Sequence, residues 1–283
     1  MTEREGVLSN APLIYTLSVI RFAPVLLLPK LIPEIHQAIR GRLPGFFQMV
    51  RGGMPGMPQG GEPNSWAFLD RDAQYACVLA QDHMILQSTA YKHFGIHLEL
   101  FRHCVEAVVN HTGPLDVAGI GMRYVDKIDP QEGESLRDYL PETLLPLNLP
   151  EIANLKGNGA TAPLGVSTTT YHFRPEFLHI RCWRQPGMWI PDDLAEAAMV
   201  FQIAKQASQQ TLGNRSLQGE QAFAPLGEDG ALLDTDAYWP LPLTERLPVN
   251  EICERLDGLH KLANSAFRIV ASEHAFNAWN KKL

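Results

Sequence analysis

Residues 10–40 read NAPLIYTLSVIRFAPVLLLPKLIPEIHQAIR, and from Leu13 to Leu28 nearly every position is apolar. A membrane-spanning helix needs about 18 or more apolar residues without a charge. This run contains Arg21 and is broken by Pro24 and Pro29. A secretory leader needs a positive start, whereas Met1–Gly6 carries Glu3, Arg4 and Glu5. Ile, Tyr, Thr and Val favour a strand, so the pattern predicts one over Leu13–Phe22, ended by Pro24. A helix follows, with Pro33 in its first turn and Leu31, Ile35, Ile39 and Leu43 at helical spacing.

Further along, short apolar alternations predict strands over 65–69, 74–80 and 83–89, separated by Asp70-Arg71-Asp72 and Gln81-Asp82. A helix over 91–111 places Leu98, Phe101, Val105 and Val108 on one face, and Gly113 and Pro114 stop it. A strand over 117–128 comes next. Residues 129–165 are rich in Pro and Leu, with short helical pieces broken by Pro141 and Pro146. A hairpin then joins 165–173 to 177–184 through Arg174-Pro175-Glu176. A helix over 192–212, strands over 216–224 and 231–238, and a helix over 250–272 complete the chain. Strands grouped between single helices predict an α+β fold, with antiparallel sheets each covered by amphipathic helices. Two subdomains are expected, 1–145 and 160–283. Residues 51–64, RGGMPGMPQGGEPN, are too dense in Gly and Pro for helix or strand and read as a loop.

Composition narrows the function classes. The chain has 283 residues and a net charge of −7. Residues 1–150 hold 12 basic and 16 acidic side chains, and residues 151–283 hold 12 and 15, so neither half is a cationic platform for nucleic acid. Cys77, Cys104, Cys182 and Cys253 are widely spaced in apolar surroundings. That excludes a Cys-rich zinc site and a disulfide framework, and fits a cytoplasmic location.

The common catalytic signatures are missing: no GxxxxGK, no HExxH and no GxSxG. Gly119 and Gly121 begin a GxG, but Tyr124 stands where a dinucleotide fingerprint needs its third glycine. Four groups of residues remain. His93 and His97 stand one helical turn apart, the spacing of a metal pair, with Glu99 and His103 further on, but the spacing dictates no third ligand. His172, His179 and Cys182 share a hairpin, yet strand alternation points the thiol away from His179. In GIGMRYVDKI, Ile120, Met122, Tyr124 and Asp126 share one face; Gly121, Arg123 and Val125 share the other. Glycine inside a strand marks a close approach by backbone or ligand, and Arg123 beside it reads as a buried ion-pair strut or an anion reader. Finally, aromatics gather in the second half, with Trp183 and Trp189 bracketing a Gly-Met turn. Arg40, Arg42 and Arg51 flank the 51–64 loop.

NAPLIYTLSVIRFAPV, SWAF at 65–68 and GIGMRYVDKI at 119–128 occur in that order. In these pieces the chain resembles a sporadically distributed bacterial protein family of unknown function. Its members open on Asn-Ala-Pro and an apolar strand ending in Arg-Phe-x-Pro. They carry a Gly-x-Arg-Tyr strand at mid-chain and close on a helix like LDGLHKLANSAFRIVAS. The resemblance spans most of the chain and implies no catalytic residues. Sporadic distribution implies accessory cargo, such as a defence or mobile-element component. The Gly/Met/Pro loop is longer than the family's usual one.

The expectation is therefore a non-catalytic binding or interaction protein. It is expected to use no cofactor or metal, to stay off membranes and to have another protein as its partner. The candidate binding residues are Arg21, Arg123, Tyr124, Arg40, Arg42, Arg51, Trp183 and Trp189, with Arg21 and Arg123 acting together from neighbouring strands. The alternatives are an enzyme of unfamiliar type using His172, His179 or the His93/His97 pair, and a nucleic-acid accessory subunit using Arg40, Arg42 and Arg51.

Overall fold

The structure, a computed structural model, describes residues 8, 10–49, 65–147, 152, 164–212 and 224–280. Its strands are β1 (Leu13–Phe22), β2 (Gly45–Met49), β3 (Ser65–Leu69), β4 (Tyr75–Ala80), β5 (His83–Ser88), β6 (Asp116–Ile128), β7 (Gly165–His172), β8 (Phe177–Arg184) and β9 (Ala231–Arg246). The helices are α1 (Leu28–Ile39), α2 (Phe94–Thr112), α3 (Leu136–Tyr139), α4 (Ala195–Leu212), α5 (Val249–Val270) and α6 (Glu273–Asn280). Short 3-10 turns occupy Glu142–Leu144 and Asp192–Leu194.

The class is α+β, as the alternation of short strand runs and amphipathic helices indicates. The strands make one sheet, where two were expected. All nine described strands are antiparallel, in the order β2-β3-β4-β5-β1-β6-β9-β8-β7. The halves join through β6 and β9, which pair from Asp116–Arg246 to Ile128–Ala231. Strand β6 is buried along nearly its whole length, as fits a strand with both faces of the sheet covered.

One face carries α1, α2 and α5. Leu28, Ile32, Ile35 and Ile39 of α1, Phe101 and Val105 of α2, and Leu256 and Leu259 of α5 close over Phe68, Leu79, Ile120 and Met122. The opposite face carries the segment from Met188 through α4, which buries Ile190, Leu194 and Phe201 against Tyr15, Leu17, Ala76 and Val125.

Local differences from the sequence reading have physical causes. Helix α1 starts at Leu28, so Pro29 fills the first turn and Pro33 lies deeper, on the exposed side. Strand β9 runs past Tyr238 through Pro240. A central strand would not tolerate that proline, but β8 pairs with β9 only as far as Tyr238. Strand β2 was not expected; its partly exposed GFFQM hydrogen-bonds only β3 among the described strands. The last helix breaks at Ala271, in extended conformation, and restarts as α6. Gly113 closes α2 as expected, at φ 82°. The 51–64 loop lies outside the described residues, as does the strand expected over 216–224 except for Ala224.

Candidate functional site

Two polar constellations are set on opposite faces of β6, and strand alternation puts them there: Tyr124 and Asp126 point toward α5, Arg123 toward α4.

Arg123 is almost fully buried, and four of its five N–H donors are hydrogen-bonded. Its Nε and Nη2 donate to the two oxygens of Asp234 at 2.8 Å each. Nη1 and Nη2 donate to Asp193 at 2.7 and 3.0 Å. Burial works against its charge, but the hydrogen bonds from the two carboxylates outweigh that and hold its pKa above the ordinary guanidinium value. Arg181 extends the network, donating to Asp236 at 2.9 Å. This cluster clamps β6, β8 and β9 to the turn ahead of α4. Four of the five N–H donors of Arg123 are engaged by these two carboxylates, so the residue acts here as a strut.

Arg21 does not join it. Its strand partner on β6 is Gly119, whereas Arg123 faces Leu17, about 13 Å further along the sheet. Arg21 is exposed, and its charge acts on the Tyr238 hydroxyl. The strand glycines make room for that same tyrosine: a Cβ on Gly119 would stand 2.7 Å from Tyr238 Cζ, and one on Gly121 3.1 Å from Tyr238 Cδ2. The close approach expected at these glycines is therefore by a side chain.

The other expected residues are dispersed. Arg40 bonds Gln37 within α1. Arg42 pairs with Glu99 at 2.5 Å, so it has an acid partner that the sequence separation hid. Arg51 lies outside the described residues. Trp183 and Trp189 are half-buried and pack on the α4 side of the core, with Trp183 Nε1 3.4 Å from Asp234. His93 and His97 do not converge. His97 is fully buried with Nε2 2.6 Å from Ser18 Oγ, while His93 is exposed at the start of α2. Burial pushes the His97 pKa down to about 3. Among the described residues no cluster of His, Cys, Asp and Glu could hold a metal. His179 accepts or donates at 2.9 Å with Thr170, on the face away from buried Cys182.

Of the expected residues, Tyr124 borders a cavity, and so does His93 of the histidine pair. The space is about 340 Å³ and opens beside the ends of β1 and β6. Leu8 and residues 11–13 form one wall, residues 91–94 ahead of α2 a second, and α5 a third. From α5 come His260, Asn264, Phe267 and Arg268, spaced to fall on one helical face. Tyr124 Oη lies 2.6 Å from His260 Nδ1, and the His260 ring stacks on Phe94 at 3.9 Å and 7°.

Asp126 lies at the cavity's inner side. It is 4% exposed, and its carboxyl makes no hydrogen bond among the described residues. Burial, reinforced by the negative charge of Asp234, raises its pKa to about 8. Burial lowers His260 to about 4 and raises Tyr91 to about 12. Tyr124 is pushed well above the phenol range by burial and by Tyr91. At neutral pH these four groups are all uncharged, and the phenol of Tyr124 is the natural donor to Nδ1. The cavity floor therefore offers neutral hydrogen-bonding groups, one of them a carboxylic acid with a spare O–H. No protein-family model and no curated protein matches this chain.

Sequence alternation already set Asp126 on a face shared with Ile120, Met122 and Tyr124. A carboxyl in that company was the available signal. His260 carried none beyond its place beside the Leu256–Leu259 stripe.

Proposed function

We propose that this is a small-molecule binding protein, and that its ligand sits in the cavity between Tyr124, Asp126 and His260. One observation carries the reading: a carboxyl nine-tenths buried faces a ligand-sized space and makes no hydrogen bond among the described residues. A ligand entering the space would meet that carboxyl as a ready hydrogen-bonding partner. The reading keeps the expected non-catalytic role and moves its seat from Arg123 to the cavity. A cytosolic setting is proposed with it, supported by four buried free thiols. The accessory role in a defence or mobile-element system rests on the family resemblance, and the protein partner on the absence of a catalytic signature beside candidate aromatics such as Trp183 and Trp189.

Native mass spectrometry of protein purified from expressing cells tests this. The expected result is a non-covalently held small molecule, absent from an Asn264→Trp variant that fills the cavity while remaining folded. A bare chain in both cases counts against the ligand seat.

A second reading has its own observation. A carboxyl with a pKa of about 8, next to a Tyr–His pair, suits general acid–base chemistry near neutral pH. Turnover of a bound molecule by the wild type, lost in Asp126→Asn, would favour it.

A further inference from the structure

We propose that two copies of this chain pair through β7, the outer strand of the sheet, so that the two sheets run on across an antiparallel β7–β7 seam. The proposal stands apart from the ligand seat above.

Strand β7 lies at one end of the strand order, and among the described strands only β8 hydrogen-bonds it. Seven of its eight residues are exposed and Ser167 is half-buried, so both faces stand open. Proteins blunt an exposed edge with charges, prolines or bulges, because its free backbone groups template another strand. Gly165–His172 reads GVSTTTYH, with no Asp, Glu, Lys, Arg or Pro, and its register with β8 is unbroken. Apolar surface gathers there as well. Of the eleven exposed large hydrophobics among the described residues, Leu164, Val166, Tyr171 and Phe173 fall within ten positions.

The outward backbone groups select a second copy and a register. The Phe173 N–H donates to the Glu176 carbonyl at 2.8 Å across the hairpin turn. Alternation along an antiparallel ladder then turns the N–H and C=O of Tyr171, Thr169, Ser167 and Gly165 toward β8. Those of His172, Thr170, Thr168 and Val166 point outward. A second copy laid antiparallel, with Thr169 on the two-fold axis, sets Val166 against His172 and Thr168 against Thr170. Every outward N–H and C=O of β7 then has a partner on the other copy. A shift of two residues either way carries one end of β7 past its partner strand.

The side chains fit the same register. It places Phe173 across from Gly165 of the second copy. Gly165 has φ 142°, and nothing lies within 4 Å of where a Cβ would stand. The Phe173 ring, stacked on Tyr171 at 6.3 Å and 18°, has that open space to cover, and an aromatic over a strand glycine is a stabilising cross-strand pair. Tyr171 faces Ser167, and Thr169 faces its own copy, a favourable Thr–Thr pair. Each chain carries a net charge of −7, but residues 164–173 hold no Asp, Glu, Lys or Arg, so the seam itself brings no like charges together. A two-fold contact closes at two copies and leaves no β7 edge free.

Sedimentation equilibrium of the whole chain, from micromolar to submillimolar concentration, should show monomer and dimer with no larger species. Thr168→Pro suits the monomer, because an outward N–H on an edge strand makes no ladder bond. In the dimer it removes one donor from each copy and should weaken association roughly tenfold or more. Oxidation with diamide reads the register and does not depend on how that variant folds. Thr169→Cys sets two thiols on the axis in a non-hydrogen-bonded pair, where facing Cα atoms stand about 4.5 Å apart, within disulfide reach. It should cross-link rapidly with itself. Thr168→Cys should cross-link with Thr170→Cys and only slowly alone. The native cysteines are buried, so the wild type serves as the blank. A monomer throughout the range, or a dimer undiminished by Thr168→Pro, overturns the proposal. Open-ended oligomers would mean that β7 pairs with another edge such as β2, and overturn the closed dimer. Thr168→Cys cross-linking alone as fast as Thr169→Cys would reject the pairing.

Discussion

The Tyr124 hydroxyl and His260 Nδ1 lie 2.6 Å apart, tying the middle of the sheet to the longest helix. Both groups are neutral at pH 7, since burial drives the imidazole down and the phenol up. The bond is thus a neutral one, whose loss costs mainly the desolvation of the orphaned ring nitrogen. Tyr124→Phe keeps the volume and removes the donor. It should lower stability by about 1–2 kcal/mol in urea unfolding, with the m-value unchanged.

Arg123 gives a sharper contrast. Its two carboxylate partners are hydrogen-bonded alike but exposed differently: the Asp234 side chain is 0% exposed and that of Asp193 50%. Removing the arginine leaves the buried Asp234 with only Arg181, 3.0 Å away, as a cationic partner, and Arg123→Ala should cost about 3 kcal/mol. Arg123→Lys should recover only part, because one ammonium cannot span two forked pairs. Asp193→Ala leaves Asp234 paired and breaks only the solvent-screened side, so about 1 kcal/mol or less is expected. Urea unfolding of the three variants checks the order. A loss from Asp193→Ala equal to that from Arg123→Ala would show that burial is not what sets the cost.

Much of the fold was legible because strand period and helix period are local signals. Leu13–Phe22 and Phe177–Arg184 read as strands from their own residues, and Gly113 announced the end of α2. What joins the elements was not local. That β6 and β9 pair depends on residues more than a hundred positions apart, and nothing in either strand names the other. Long separations likewise hid Asp234 from Arg123, 111 positions away, and Glu99 from Arg42, 57 positions away. Arg42 therefore read as free, whereas Arg123 read as a strut or an anion reader, and its partner Asp234 is what decides for the strut. Asp126 was on the page as a member of a buried face, but a cavity is made by three elements at once. No single stretch of sequence contains it.

Gly121 is crowded from two directions. A Cβ there would stand 2.9 Å from Val19 Cγ1 on β1 and 3.1 Å from Tyr238 Cδ2 on β9. Gly121→Ala should destabilise by about 1–3 kcal/mol through overpacking. Removing one of the crowding groups should relieve it, so Tyr238→Ala combined with Gly121→Ala should cost less than the two single changes added together. A double-mutant cycle in urea measures the coupling, and strict additivity would place the strain on Val19 alone.

Asp126 makes stability depend on pH with a definite sign. Its carboxyl titrates near 4 in the unfolded chain and at about 8 in the folded one. Between those values the native state holds a proton that the unfolded state has lost, so its contribution to stability falls as pH rises and is fully lost above about 8. The buried histidines act oppositely. His97 and His260 fall to about 3 and about 4 in the folded state, so both oppose folding as pH drops below about 6.5. The two trends cross, and from these three groups the protein should be most stable near pH 6.5. Asp126→Asn isolates the acid. It removes the ionisable group while keeping the shape, so the decline between about pH 6.5 and 8 should flatten, and the fall below about pH 6.5, no longer offset by the acid, should steepen. Urea midpoints measured across that range in both proteins decide the matter. An unchanged alkaline decline in Asp126→Asn would mean that the carboxyl is already ionised in the native state, and that the cavity floor carries a negative charge.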